Sequence, residues 1–148
     1  MSDLWLLDTH IWIRLLNGDP LFNTPGFLSA LQEQEKTGRI RIASISLWET
    51  AMLVAKGRLS LSMPVLDWLT KAQTMPGLSV LPLTAEIAAD SCFLPPSFHG
   101  DPADRLIVAT ARTVNATLLT FDQAILSYGT EGWVKAINPL TSQSVGPN

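Results

Sequence analysis

Leu4-Trp5-Leu6-Leu7-Asp8-Thr9 is a continuous apolar run stopped by an acid, the pattern of a central strand buried on both faces that turns into a helix. A half-exposed strand would alternate apolar and polar residues instead. The same grammar recurs along the chain. Residues 40–43 read as a second strand, followed by a helix from Ser46 to about Lys56 that Gly57 closes. Residues 78–81 read as a third strand, followed by a helix capped by Thr84 that Pro95-Pro96 ends. Residues 117–121 form a fourth strand ending at Asp122, with a short helix over 123–128, and residues 133–137 form a fifth.

Between these lie helices over about 10–16, capped by Thr9, 25–36 with Gly38 past its end, and 64–73. Another starts at Asp101-Pro102 and runs through the apolar segment to Val114. Strands alternating with helices predict an α/β fold with a parallel sheet and right-handed crossovers.

The chain has 148 residues and is 47% hydrophobic, the size of one compact domain with a substantial core. Net charge is -3, which excludes broad basic binding of nucleic acid. Cys92 is alone, which excludes an intrachain disulfide and a thiolate zinc site, and its apolar neighbours predict burial. The opening apolar run is too short and acidic for a signal peptide, and no stretch approaches the roughly 20 residues of a membrane span. A cytoplasmic protein with no membrane contact is expected, ending in a polar tail from Asn138 that frays.

Four acids, Asp8, Glu49, Asp104 and Asp122, each stand where a strand-like run ends or a helix begins. In a parallel α/β sheet those junctions share one edge, so the fold would gather them. Two like charges roughly 4 Å apart repel by about 4 kcal/mol at an effective dielectric of about 20, so such a cluster calls for a divalent cation. Metal-assisted hydrolysis of a phosphodiester is the chemistry this predicts, with Asp8 and Asp104 as the principal ligands, direct or through water. Glu49 and Asp122 would hold metal waters or a second ion.

Each acid also has a structural reading. Asp8 and Asp122 can cap helices, Ser46-x-x-Glu49 matches a capping box, and Asp101 is a natural N-cap with Asp104 three residues on. The helix end that favours these carboxylates also favours a phosphate. Thr9 and Thr120 would place hydroxyls beside the site, and Arg105 would contact a phosphate or form a surface ion pair. His99 is a further candidate for substrate contact. Lys56 and Arg58, with Arg39 and Arg41, form the one local positive concentration and are candidates for tracking a nucleic-acid backbone. Trp12 and Trp48 sit at helical positions that suit packing in a core or between subunits.

Four segments in order, Leu6-Leu7-Asp8-Thr9-His10, Ser44-Ile45-Ser46-Leu47-Trp48-Glu49, the run from His99-Gly100-Asp101-Pro102-Ala103-Asp104-Arg105 to Ala111, and Leu118-Leu119-Thr120-Phe121-Asp122, resemble the PIN domain, specifically the VapC-type toxin ribonucleases of toxin-antitoxin pairs. The likeness spans about residues 3–137. It implies a three-layer fold, a five-stranded parallel sheet flanked by helices. It also implies that Asp8, Glu49, Asp104 and Asp122 are an acidic quartet binding one or two Mg2+ or Mn2+ ions for RNA hydrolysis, with Asp101 an additional acid.

The resemblance further implies a homodimer, an antitoxin covering the active-site groove, and contact with operator DNA only through that antitoxin. The chain departs from the pattern in lacking a basic excess. The competing expectation is a PIN-like metal-binding module with weak or no turnover, acting through protein partners and transcriptional autorepression.

Overall fold

The computed structural model describes residues 3–96 and 98–141. Strand β1 (Trp5–Leu7) leads into helix α1 (Thr9–Leu16), then a 3-10 turn at Pro20–Phe22 and helix α2 (Pro25–Thr37). Next come β2 (Ile40–Ala43), α3 (Ile45–Ala55), α4 (Val65–Ala72) and β3 (Leu78–Leu81). The chain continues through α5 (Ala85–Cys92), α6 (Pro102–Val114), β4 (Thr117–Leu119), α7 (Gln123–Thr130) and β5 (Ala136–Ile137).

All five strands are parallel, in the order β3-β2-β1-β4-β5. The five-stranded parallel sheet expected from the sequence is therefore present. The chain builds outward from β1 to β3, then crosses back to place β4 on the other side of β1. Open α/β sheets bind ligands where the order reverses in this way, in the crevice beyond the carboxyl ends of the strands.

Period-two alternation divides the core between the two faces of the sheet. Trp5, Leu7, Ile40, Ile42 and Leu119 pack with Trp12, Phe22, Phe27 and Trp68 on one face. Leu6, Ala43 and Leu118 pack with Ile87, Ile107, Val108 and Ile125 on the other. Leu6, Leu7, Leu118 and Leu119 are fully buried, each a contribution of about 1.5–3 kcal/mol. The central strands thus read as unbroken apolar runs because helices cover both sides of them.

Several local expectations are corrected. Asp8, not Thr9, is the N-cap of α1, and Thr9 is its first helical residue. Ser44 already has helical dihedrals and α3 begins at Ile45, so Ser46 lies inside the helix and the expected capping box does not form. The last strand is two residues long rather than five. Beyond it Pro139 is buried and Leu140 packs against the core, with Asn138 Oδ1 accepting from the amides of Leu140 and Thr141. The expected fraying therefore does not apply to 138–141, and residues 142–148 lie outside the described residues. Cys92, expected inside, is exposed. Among the described residues no helix is long and apolar enough to cross a membrane.

Candidate active site

The last paired residues of β1 and β4 are Leu7 and Leu119. One step further lie Asp8 and Thr120, side by side at the carboxyl edge of the sheet. Thr120 Oγ1 donates to Asp8 Oδ2 at 2.7 Å and accepts from the Asp122 amide at 2.9 Å. Asp8 Oδ1 accepts from the Thr9 amide at 2.8 Å. Asp8 is thereby fixed through both oxygens, with only 6% of its surface exposed. Asp122 caps α7 through Oδ1, which accepts from the Ile125 amide at 3.0 Å.

Glu49 enters from α3, the helix that follows β2. It is 7% exposed, and its Oε1 is buried without a hydrogen-bond partner. Asp101 caps α6 by accepting from the Asp104 amide at 2.9 Å, with Pro102 at the first helical position as expected. Asp104 sits half-buried on the first turn of that helix.

The charges of these acids act on one another. Burial pushes the Asp104 carboxyl up to about 7, with Asp101, Asp8, Asp122 and Glu49 all adding to the rise. Burial also raises Glu49, helped by Asp8 and Asp101 and opposed by a hydrogen bond from Thr9 and by His10. Asp8 is raised by burial and by Asp122, against the lowering effects of Thr120, His10 and the Thr9 amide. Five acids from four separate stretches of chain thus share one field at the switch point between β1 and β4.

Among the described residues, no three His, Cys, Asp or Glu side chains stand close enough to form a ready-made metal cage. Their mutual electrostatic influence nevertheless shows convergence at longer range, and the donor set fits a hard cation. Mg2+ is held through one or two carboxylates and keeps several waters, so it does not require a closed protein cage. An unpartnered Oε1 on Glu49 is the kind of buried acceptor that a cation or its water would satisfy.

The hydroxyls expected to face a substrate are engaged by the protein. Thr120 holds Asp8, and Thr9 Oγ1 lies 2.8 Å from Ser46 Oγ, both fully buried. Arg105, expected at a phosphate or a surface ion pair, donates instead to the carbonyls of Ser91 and Phe98, tying down the chain that leads into α6. His99 is exposed two residues before Asp101. Lys56 and Arg58 are exposed just past the end of α3. Arg39 precedes β2 and Arg41 lies in its first half, toward the amino edge, where Arg41 donates to the carbonyls of Gly38 and Ile40.

Two residues near the acids were missed. His10 lies within electrostatic reach of Asp8 and Glu49, and its place two residues after Asp8 was the available signal. Ser46 was read only as a cap. A cleft of about 1010 Å³ opens at the amino edge beside Trp5, Gln34, Arg112 and Trp133. None of the five acids lines it; they stand at the opposite, carboxyl edge of the sheet.

The chain folds as a five-stranded parallel sheet, and its residues 5–130 match the PIN domain family. The chain belongs to that family. It is 39% identical to Ribonuclease VapC22 of Mycobacterium tuberculosis over 101 residues, 68% of this chain and 76% of that protein.

Solved structures give the same fold at lower identity. VapBC2 from Rickettsia felis, bound to a DNA fragment from its promoter, aligns with a TM-score of 0.66 at 20% identity, covering 90% of this chain and 96% of that one. DNA-bound VapBC from Salmonella typhimurium aligns with a TM-score of 0.59 at 18% identity, covering 92% and 98%. A toxin-antitoxin complex from Klebsiella pneumoniae aligns with a TM-score of 0.57 at 20% identity, covering 90% and 96%.

Proposed function

We propose that this chain is a divalent-metal-dependent endoribonuclease, the toxin of a toxin-antitoxin pair. The observation that carries the reading is the convergence of Asp8, Glu49, Asp104 and Asp122, with Asp101, at the carboxyl edge beside the β1/β4 switch point. The similarity to Ribonuclease VapC22 supports RNA as the substrate, and the VapBC complexes among the structural relatives support an antitoxin partner.

Asp8 and Asp104 hold Mg2+ or Mn2+, directly or through water, and Glu49 and Asp122 orient metal waters or a second ion, with Asp101 at the rim. When bound, the cation lowers the pKa of the attacking water and offsets negative charge on the scissile phosphate. The protein's own part is to hold the carboxylates rigidly. Thr120 clamps Asp8, while the caps of α6 and α7 fix Asp101 and Asp122. Because the acids repel phosphate, the RNA backbone enters only where the ion offsets them, with His99, Lys56 and Arg58 as peripheral contacts.

The antitoxin covers this groove, and promoter DNA is met through the antitoxin, in keeping with the net charge of -3. Two copies pair through the exposed apolar surface of Trp48 and Leu83 beside Ile45 and Leu106.

Purified antitoxin-free protein incubated with structured RNA and Mg2+ or Mn2+ should cleave it, and Asp8→Asn and Asp104→Asn should not. Equal cleavage by all three proteins would sink the assignment. Mn2+ binding without cleavage of any RNA would favour a partner-binding module.

A further inference from the structure

Arg14, in the last turns of α1, is held on two sides. Its Nε donates to Asp19 Oδ2 at 2.9 Å, and its guanidinium carbon stands 5.3 Å from the centroid of the Phe121 ring. Phe121 is backed in turn by the buried Phe22, whose ring stacks on it at 6.0 Å. The far edge of the guanidinium is unused. Among the described residues Nη1 and Nη2 have no hydrogen-bond partner, and 42% of the side chain is exposed.

Arg112 shows the contrast. It spends Nε, Nη1 and Nη2 on Asp90 and the Trp133 carbonyl, which makes it a brace. Asp19 is also fully engaged, with Oδ1 accepting from the Leu21 amide and Oδ2 from Arg14. The Nη edge of Arg14 is left to something outside the fold.

Its place says what that is. β4 ends at Leu119, Thr120 clamps Asp8, and Phe121 stands between Thr120 and Asp122. A guanidinium over Phe121 therefore flanks the acid cluster at the carboxyl edge. The planar fork of arginine matches two phosphate oxygens at once, and a fork already held by the fold loses little freedom on binding.

We propose that Arg14 is a substrate-contacting residue: its Nη edge binds a phosphate of the RNA strand that flanks the one at the acid cluster. The proposal rests on the ribonuclease reading above. In a chain of net charge -3 whose acids repel phosphate, this fixed cation gives the strand a hold beside the site.

The test uses fluorescence anisotropy of labelled, mixed-sequence single-stranded RNA in Mg2+, from about 50 to 200 mM salt. Antitoxin-free Asp104→Asn protein, which does not cleave on the reading above, is compared with the same protein carrying Arg14→Gln or Asp19→Asn. Arg14→Gln should weaken binding about 10-fold at low salt, the weight of one charge-assisted hydrogen bond, and equally for every sequence. The dependence of log affinity on log salt should become shallower by about 0.7, the share of one phosphate contact on a single strand. Asp19→Asn breaks the same ion pair but keeps an acceptor for the Leu21 amide, so it should leave the slope unchanged and binding no weaker. In the cleaving protein, Arg14→Gln should raise KM and leave kcat in place.

Affinity within twofold and an unchanged slope for Arg14→Gln overturn the proposal. Equal losses from Arg14→Gln and Asp19→Asn also overturn it, since the ion pair would then serve only the fold. Unchanged RNA affinity with loss of a co-expressed antitoxin would assign the fork to an acidic protein partner, which overturns it as well. If Arg14→Gln does not fold, Arg14→Lys decides: it keeps the charge without the fork, and affinity equal to that of the arginine protein overturns the proposal. A wild type that neither binds nor cleaves RNA overturns the ribonuclease reading and this proposal together. A wild type that cleaves while Arg14→Gln keeps its KM overturns this proposal only.

Discussion

A carboxylate on the first turn of α6, half-buried and within reach of four other acids, is held where its charge is costly. Asp104 keeps its proton up to about 7, against an ordinary value of 3.8, so the folded protein binds more protons than the unfolded chain between those values. Stability of the metal-free protein therefore falls as pH rises from about 4 to about 7, and the loss is complete above that window. Asp8 and Glu49, also raised, act in the same direction.

Thermal melts in chelator across this range should show a declining midpoint, and a midpoint that climbs from pH 5 to pH 8 would contradict the site's electrostatics. Asp104→Asn removes the charge at nearly constant volume. The variant should melt a few degrees higher than wild type at pH 8 in chelator, while cleavage falls on the order of 100-fold or more with the loss of metal-assisted charge stabilisation. Calorimetry and a gel assay on the same preparation check both halves.

The elements show how a local pattern becomes a site. Gly100 precedes the cap of α6, and a Cβ there would stand 2.3 Å from the Phe98 ring and 2.8 Å from Asp104 Cβ. Gly100→Ala should destabilise the protein by about 1–3 kcal/mol, as overpacking does, and weaken Mn2+ binding by displacing Asp104. Denaturant titration and ion binding measure the two effects, and a wild-type result in both would mean that the loop yields without moving α6.

The α6 entry was legible because Asp101-Pro102 combines a cap with a residue suited only to a first turn, and Thr84 was legible as a cap for its helix. The α3 entry was not legible. Ser46-x-x-Glu49 has the spacing of a capping box, but Ser44, with φ -57 and ψ -30, had already turned helical, so Ser46 stands inside α3 rather than at its cap. A sequence shows which residues are able to cap. Where helical dihedrals begin depends on the packing of α3 against its neighbours. The Asp8–Thr120 clamp was hidden for a related reason, since it depends on the β1/β4 register across 112 residues of chain.

In the whole molecule, repulsion among the acids would, on the proposed metal-dependent reading, make the cation a folding ligand as well as a reagent. A ligand that binds only the folded state stabilises it by about 2.7 kcal/mol at 100 times its dissociation constant. Mn2+ should therefore raise the melting temperature more at pH 8, where the carboxylates are charged, than at pH 5, and chelator should reverse the shift. An equal rise at both values would mean that the ion binds elsewhere.

Trp48 is 58% exposed and Leu83 56%, beside a groove lined by Ile45 and Leu106. If two copies pair there as proposed, Trp48→Glu should convert the dimer to a monomer with unchanged helix content, read by light scattering and circular dichroism, and a wild type that is already a monomer would overturn the pairing. An undisturbed dimer would place the subunit contact on another surface.

The sheet order has one more consequence. Because β4 returns to pair with β1 after more than a hundred residues, the site joins acids from position 8 and position 122 of a 148-residue chain. Any product of interrupted translation that stops short of β4 lacks both the strand that completes the crevice and the threonine that clamps Asp8. On the proposed reading, the acid cluster is completed only once β4 and Asp122 have been made.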